Sequence, residues 1–360
     1  MSLRRDAMTG RAGDGVERSF KAALVGYGYA GRTFHAPLLD ACPGLSLQAI
    51  VSSQSELPAR DHPGVAILAL PELLSHPEID VVVVATPNPT HFAIARAALE
   101  AGKHVVVDKP FTLTVGEAET LVELADRHGL MATVFHNRRW DGDFMTLKRL
   151  VGAGELGDIT SFESRFDRFR PDVRDRWRER DEPGSGTWFD LGPHLVDQAL
   201  VLFGLPRHIR ADLGIERRGA RTIDRFHVTL RYESHDVVLA SSSLAATPGP
   251  RFRVVGNAGS YLCYGEDAQE QWLREGRRPR AGSEWGLNPV PGILTRPLEA
   301  GPASVEVPTD PGCYPAFYPG VVAAIAGNAP PPVGAADMVN VMRVLELAVH
   351  SAQRGHEVPT

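Results

Sequence analysis

A glycine-rich turn behind an apolar run constrains the fold of this chain more than any other feature. The run 22–25 is followed by a G-x-G-x-x-G pattern formed by Gly26, Tyr27, Gly28, Tyr29, Ala30 and Gly31. The first glycine permits a tight turn, the second lets the backbone approach a pyrophosphate, and the third allows close packing of the next helix. The helix N-terminus would supply amides for the anion. The alternative is a turn that binds nothing.

The glycine pattern opens a region of alternating short apolar runs and helical segments. Such alternation is typical of a parallel sheet with crossover helices. In one helix Thr114 and Glu117 form a capping box, and Gly129 ends the helix. We therefore predict a dinucleotide-binding Rossmann domain over residues 19–137. Its expected strands are 21–25, 45–51, 65–68, 81–85, 104–107 and 131–135.

The second half of the chain has a different pattern. Residues 138–334 contain alternating polar and apolar runs joined by Gly, Asn and Ser turns, which predict a mostly antiparallel sheet in an α/β domain. One helix is expected over 188–203, and the Pro- and Gly-rich segment 278–319 is expected to be irregular. A last helix is predicted over 335–353. The expected strands of this half are 161–169, 226–232, 237–244, 251–256 and 259–264.

Length and charge restrict the class of protein. The 360 residues suffice for about two domains. The net charge of −6 provides no field for nucleic acid, and no run approaches the roughly 20 apolar residues of a membrane span. Residues 1–18 are expected to form a disordered leader without the apolar core of a signal peptide, so we expect a cytoplasmic protein. The spacing of the His and Cys residues predicts no metal site.

The end of the second predicted strand bears on the choice of nucleotide. NAD-specific enzymes usually carry an acidic residue about 20 residues past the glycine pattern, but here no acid occurs before Glu56. The hydroxyls of Ser52 and Ser53 could donate to a 2′-phosphate, and Arg60 could reach it. These residues favour NADP(H) over NAD(H) and leave NAD(H) open.

Three further polar segments complete a known combination of motifs. Thr86, Pro87, Asn88 and His91 follow the fourth predicted strand, and Asp108, Lys109 and Pro110 follow the fifth. Residues 184–194 form a glycine-rich segment that carries Asp190 and His194. Together with the glycine turn, this set resembles the Gfo/Idh/MocA family of oxidoreductases over essentially the whole chain after residue 18. One departure is Asp108, which stands where the family pattern has Glu.

The resemblance implies a complete architecture and a class of reaction. It implies a Rossmann domain, an α/β domain with a large open mixed sheet, and a C-terminal helix (335–360) that packs back on the Rossmann domain. The segment 135–144 resembles scyllo-inositol-type dehydrogenases, which lean toward NADP(H). Relatives commonly form homodimers or homotetramers through the open sheet. The implied substrate is a small sugar, inositol or related polyol, without a nucleic-acid or membrane partner.

Three residues could carry the chemistry of such a reaction. Oxidation of a carbinol needs a hydride acceptor and a base for the hydroxyl proton. His194 fits the base, and Asp190, four residues earlier on the predicted helix, could orient its ring. Lys109 could donate to the substrate oxygen. Whether Lys109 or His194 carries the proton directly stays open, and Pro110 could follow a cis bond.

Other candidates have weaker signals. Asn88, His91 and Asn137 either contact the nicotinamide and ribose or only cap turns, and Arg138 and Tyr318 are candidate substrate contacts. The arginine-rich segment 165–182 is either a salt-bridged loop or a lid over a polar or anionic substrate. Alternative functions are a non-catalytic nucleotide sensor of the same fold, or a family member with biliverdin reductase-like or NAD-assisted glycosidase chemistry.

Overall fold

The first sheet of the computed structural model, which describes residues 19–279 and 284–360, is parallel throughout. Its strand order, β3-β2-β1-β4-β5-β6, is that of a doubly wound nucleotide-binding fold. All four valines of β4 are buried, as both faces of a parallel sheet are covered by helices. The strands are β1 (Phe20–Val25), β2 (Leu45–Val51), β3 (Ala66–Ile67), β4 (Val81–Val84), β5 (His104–Val107) and β6 (Ala132–Val134). The six predicted strands are confirmed, and the expected leader lies outside the described residues.

Helices cover both faces of this sheet. A π-helical turn (Gly31–His35) leads directly into the first of them. In α5 the Thr114 hydroxyl accepts a hydrogen bond from the Glu117 amide at 3.2 Å, and Gly129 ends the helix at φ +62°, so both predicted signals are confirmed. The helices are α1 (Ala36–Asp40), α2 (Glu56–Asp61), α3 (Leu70–Ser75), α4 (His91–Glu100) and α5 (Val115–His128).

The second sheet has nine strands in the described residues, in the order β14-β13-β12-β11-β7-β10-β9-β8-β15. Strands β7 and β10 pair in parallel and the other neighbours are antiparallel, so the sheet is mixed. The strands are β7 (Ile159–Arg165), β8 (His208–Gly214), β9 (Arg225–Arg231), β10 (Asp236–Ser242), β11 (Phe252–Gly256), β12 (Ser260–Cys263), β13 (Gly292–Arg296), β14 (Ala303–Val307) and β15 (Val358–Pro359).

Part of this sheet corrects the sequence-based prediction. Strands β13 and β14 lie within 278–319, which was expected to be irregular, and that prediction was wrong. They form one edge of the sheet, where the four residues Ala303 to Glu306 of β14 are all exposed, so the usual apolar alternation is absent. Strand β8 was also missed. Conversely, β7 ends at Arg165, and Phe169 makes only an isolated bridge to Leu244.

The described part of the chain after residue 138 contains five α-helices, and the last one contacts both halves of the molecule. Their bounds are α6 (Gly142–Gly152), α7 (Gly186–Phe203), α8 (Gln269–Arg274), α9 (Phe317–Ile325) and α10 (Ala335–Arg354). Helix α10 packs on α5 and β6 of the first domain and on α7 and β8 of the second. The Glu346 carboxylate accepts a hydrogen bond from the Val115 amide at 3.0 Å, and the Trp188 indole donates to the Leu345 carbonyl at 3.1 Å. The helix therefore ties the two domains together.

Within the described residues, no helix combines the length and the apolar character that crossing a membrane requires.

Candidate active site

The glycine turn shows three different reasons for its three glycines. Gly26 has φ +99°, and a Cβ there would lie 2.5 Å from the Ala85 carbonyl oxygen. A Cβ on Gly31 would overlap the Gly26 carbonyl oxygen, because the helix starts directly against the strand. Nothing lies within 4 Å of the position that a Cβ on Gly28 would occupy. Gly28 therefore faces a space that packing does not explain, and this cradle fits a dinucleotide pyrophosphate.

A small cluster of charged groups joins this turn to the end of α2. The Tyr27 ring is buried, and its hydroxyl donates to Asp61 at 3.2 Å. Burial, together with the Asp61 carboxylate, raises the pKa of Tyr27 to about 12. Arg32 and Arg60 both bind Asp61 at 2.8 Å, so the cluster of two guanidiniums and one carboxylate keeps a net positive charge. The Ser52 hydroxyl donates to the Gln54 carbonyl and shapes the turn after β2, and Ser53 is exposed.

The glycine turn also contacts the second domain. The Tyr29 hydroxyl donates to Glu270 of α8 at 2.8 Å, and the other oxygen of Glu270 accepts from Arg138 at 2.7 Å. Burial would raise the pKa of Glu270, but the Arg138 charge and the Tyr29 hydrogen bond outweigh burial and lower it. Arg138 is buried, and it also binds Asp141 at 3.2 Å. Its guanidinium is thus engaged by protein carboxylates. Sequence reasoning missed Glu270, which lies 132 residues from Arg138 and in no recognisable motif.

The central pair of the site joins one residue from each domain. Lys109 follows β5, and its Nζ donates to Asp190 of α7 twice, to Oδ1 at 2.9 Å and to the backbone carbonyl at 2.5 Å. Arg178 approaches the same Oδ1 at 3.4 Å. Burial would raise the pKa of Asp190, but Lys109 and then Arg178 outweigh burial and hold it well below its usual range. Asp190 is therefore a carboxylate at neutral pH.

Asp108 and Pro110 hold Lys109 in place. The Asp108 carboxylate accepts a hydrogen bond from the Lys109 amide at 2.9 Å, and the Lys109–Pro110 bond is cis, as predicted. Behind Asp108 lies His35, whose Nε2 is 3.8 Å from the carboxylate. These buried groups fix the backbone from which the Lys109 side chain extends.

His194 lies one turn after Asp190 on α7 and has only 6% of its surface exposed. Burial, and then the positive charges of Lys109 and Arg138, hold its pKa well below the ordinary value of 6.5, so the imidazole is neutral at pH 7. Its Nδ1 is buried with no hydrogen-bond partner among the described residues. A neutral imidazole has one ring nitrogen without a proton, and that nitrogen can act as a base.

The expected orientation of His194 by Asp190 is wrong in this structure. Both residues lie on α7 as predicted, but the Asp190 carboxylate turns to Lys109 and Arg178, two cations that attract it more strongly than a neutral ring does. Asp190 therefore positions the ammonium of Lys109, and His194 depends on packing for its orientation.

Two of the candidate cofactor contacts, His91 and Asn88, have structural roles in this fold. His91 is fully buried, with Nδ1 2.8 Å from the Pro110 carbonyl and Nε2 2.9 Å from the Thr86 carbonyl. It joins the turns after β4 and β5 and presents no atom to a ligand. The Asn88 amide donates to the Gly184 carbonyl at 2.9 Å, which links the turn after β4 to the start of α7. Of the same turn, Thr86 is partly exposed and Pro87 is exposed.

Tyr318 is also misplaced by the sequence-based prediction. Its side chain is fully buried, and its hydroxyl lies 2.7 Å from Nδ1 of His35. A ring enclosed by the core has no free face on which a sugar could stack, so the prediction of a substrate contact is wrong. Tyr318 lies on α9 inside an apolar cluster, and the sequence alone does not show whether an aromatic residue lies in such a core or in the wall of a cleft.

Asn137, a candidate cofactor contact, follows β6 and is 5% exposed. No group of His, Cys, Asp and Glu in the described ranges has the arrangement of a metal site.

Comparison with known proteins identifies the family. Residues 20–136 match "Oxidoreductase family, NAD-binding Rossmann fold", and residues 148–360 match "Oxidoreductase family, C-terminal alpha/beta domain" of the same family, Gfo/Idh/MocA. The chain belongs to the Gfo/Idh/MocA oxidoreductases. The expected family and the expected α/β fold with a mixed second sheet are thereby confirmed.

Individual Gfo/Idh/MocA relatives match over nearly the full chain. The uncharacterized oxidoreductase YdgJ of Escherichia coli is 48% identical over 93% of this chain and 97% of its own length. The scyllo-inositol 2-dehydrogenase (NADP(+)) IolW of Bacillus subtilis is 39% identical over 93% and 94%. The solved structure of yvaA from Bacillus subtilis superposes with a TM-score of 0.92 at 37% identity and covers 96% of this chain and 99% of that one.

Proposed function

We propose that this oxidoreductase is an NADP(H)-dependent dehydrogenase or reductase that acts on the CH–OH group of a sugar, inositol or related polyol. The reaction removes a hydride from the carbinol carbon and a proton from its hydroxyl, which leaves a carbonyl; the reverse reaction adds both. The nicotinamide cofactor, when bound, supplies the hydride acceptor or donor. The relative IolW, which is named as acting on scyllo-inositol with NADP(+), supports both parts of the proposal.

The protein's own residues supply the other requirements of this chemistry. An ammonium has three donors, and Lys109 uses two of them on Asp190, so one remains for the substrate oxygen. That hydrogen bond would stabilise the charge that develops on the oxygen during hydride transfer. His194 is neutral and buried beside the same pair, which suits it to take the hydroxyl proton. Lys109 and His194 both stay candidates for the first proton transfer.

The preference for NADP(H) is supported by the groups around the turn after β2. Ser52 and Ser53 stand where an NAD-specific enzyme carries an acid. The acid bound within the neighbouring cluster, Asp61, is neutralised by Arg32 and Arg60, and these three groups together retain positive charge for a 2′-phosphate. Burial raises the pKa of Asp61, but the hydrogen bonds of Arg60 and Arg32 outweigh it, so the carboxylate stays charged and bound to them.

The observation that carries the proposal is the Lys109–Asp190 pair, which joins the two domains. The test is oxidation of inositols and aldoses with NADP⁺ and with NAD⁺, followed by the absorbance of the reduced nicotinamide. We expect turnover that prefers NADP⁺ and falls at least about 100-fold in Lys109→Ala, while NADPH still binds. The exposed lysine variant Lys148→Ala is the control, and it should leave turnover unchanged.

Two outcomes of this experiment would contradict the proposal. If the wild-type protein binds NADPH tightly but oxidises none of these compounds and reduces none of the matching ketones, catalysis on neutral polyols is refuted; a nucleotide sensor is favoured if sugar acids and sugar phosphates are not turned over either. If Lys109→Ala keeps full turnover, the assignment of Lys109 is wrong.

Association of subunits through the large mixed sheet stays a prediction, which light scattering can test. A cytoplasmic location also stays a prediction.

A further inference from the structure

A cleft lined by arginines adjoins the catalytic pair. It lies between the loop 166–182, the start of α7 and the end of β10, and its wall includes Asp190 itself. About 30 Å³ of the cleft can be reached by the centre of a water molecule, which corresponds to space for about two waters or for a small charged group. A substrate bound at Lys109 therefore has a polar recess directly beside it.

The charges that line the cleft do not balance. Five arginines and two carboxylates form its wall: Arg168, Arg170, Arg176, Arg178, Arg217, Glu179 and Asp190. Five positive and two negative charges leave a formal charge of +3. Hydroxyl side chains contribute the rest of the polar lining, from Thr187, Thr222, Ser241, Ser242 and Ser243. The wall is thus rich in donors and positive charge.

Most of these arginines already have partners. Arg176 and Arg217 bind Glu179, and Arg217 also binds Asp224 at 3.0 Å. Arg178 stacks on the Trp177 ring at 4.7 Å and shares Asp190 with Lys109, so the negative charge of Asp190 is offset twice.

Two arginines of the wall are left largely unneutralised. Arg168 lies 3.8 Å from Glu266, a weak contact with a half-exposed partner. The Arg170 guanidinium makes no ion pair or hydrogen bond with any residue that the structure describes. Burial, and then the positive charges of Arg168 and Arg176, lower the pKa of Arg170, and the negative charge of Asp190 offsets only part of this effect. A partly buried guanidinium held among other cations is stabilised most by an added anion.

We propose that the polyol substrate carries an oxyanion, a carboxylate or a phosphate, which binds Arg170 and Arg168 in this cleft while the reacting carbinol lies at Lys109. This inference rests on the proposed function, and it narrows the substrate class from neutral polyols to sugar acids or sugar phosphates. The small volume of the recess favours a carboxylate. Arg170 and Arg168 are thus specificity residues that contact the substrate away from the reacting carbon.

Two matched sets of probes test the proposal with NADP⁺ as the co-substrate. Glucose, glucuronate and glucose 6-phosphate form one set; glucitol and gluconate form the other. We expect kcat/KM for an anionic probe to exceed that of its neutral partner at least tenfold, and the advantage to shrink in 0.5 M salt. The carboxylate and phosphate arms show which oxyanion the cleft takes.

Variants of Arg170 then localise the effect. In Arg170→Ala we expect kcat/KM for the anionic probe to fall about 10- to 150-fold, mostly through KM, because one charge-assisted hydrogen bond commonly contributes that much. The neutral probe should change less than about twofold. Arg170→Lys should recover part of the loss. Arg96→Ala removes an equally charged but remote arginine on α4 and should have no effect.

Binding provides a readout that is independent of turnover. Glucuronate should raise the thermal midpoint of the NADPH-loaded protein, and this shift should disappear in Arg170→Ala. If both probes of a set lose the same factor in Arg170→Ala, or if neutral probes are preferred, the oxyanion site is refuted although the dehydrogenase function stands. If no probe turns over but glucuronate still binds through Arg170, the proposed function fails and the anion site holds.

Discussion

Substitution of Gly28 by alanine should separate nucleotide binding from folding. No atom lies within 4 Å of the Cβ that the substitution adds, and Gly28 does not have a left-handed φ. The free energy of unfolding should therefore stay unchanged or rise by about 0.4–1 kcal/mol, because alanine restricts the unfolded chain. The same methyl group would occupy the space through which the turn approaches the pyrophosphate. We expect the Kd for NADPH to rise at least about tenfold, which corresponds to about 1.4 kcal/mol.

Two other glycine-to-alanine substitutions act as controls for Gly28→Ala. In Gly31→Ala the new Cβ overlaps the Gly26 carbonyl oxygen, so the protein itself should lose roughly 1–3 kcal/mol of stability. In Gly116→Ala on α5 the new Cβ meets nothing, and neither stability nor affinity should fall.

Urea denaturation measures the free energy of unfolding of Gly28→Ala. The change in NADPH fluorescence on titration measures its Kd for NADPH separately. Unchanged NADPH affinity in Gly28→Ala would refute the placement of the dinucleotide against Gly28. A large loss of stability in the same variant would contradict the open space found there.

Two further predictions concern buried histidines. Because the pKa of His194 is depressed in the folded state, the unfolded chain binds the additional proton as the pH falls below about 6.5, so the contribution of His194 to stability decreases between pH 7 and pH 5, by at most about 2 kcal/mol. His194→Gln should flatten this part of the urea-measured stability profile, and an unchanged slope would contradict the assignment. His91→Leu should cost about 1–3 kcal/mol of stability, since burial keeps the ring neutral and its single N–H donates to one of the two facing carbonyls, of Pro110 or Thr86, which the variant leaves without a donor; thermal and urea unfolding that match wild type would show that His91 does not link the two turns.

Local sequence patterns were sufficient for the first domain. Strands β1, β4 and β5 are almost completely buried and consist of nearly continuous apolar runs, so each one can be recognised without its neighbours. The cap formed by Thr114 and Glu117 is equally local. Edge strands such as β14 have no such signature, because their exposure removes the apolar alternation.

The site shows the same division between local and distant information. The spacing of Asp190 and His194 correctly placed both on one helix. It could not show that the Asp190 carboxylate would bind Lys109, 81 residues away, instead of His194. Likewise, Tyr318 was a candidate for stacking on a sugar and His91 for contact with the cofactor, whereas Tyr318 bonds His35 and His91 bonds the turn after β5, neither of which is its neighbour in sequence. Pairings between domains are therefore the part of the site that required the structure.

The attachment of α10 to both domains has a consequence for how ligands enter. A hinge motion that swung the two domains apart would have to detach the 20-residue helix from one of them, and so break either the Glu346 contact to the first domain or the Trp188 contact to the second, together with the packing on that side. The cleft between the domains should consequently keep a nearly constant width. Entry and release of ligands would then depend on local contacts such as the Tyr29–Glu270 hydrogen bond. Exchange of nucleotide would then be timed by side-chain motion rather than by domain opening.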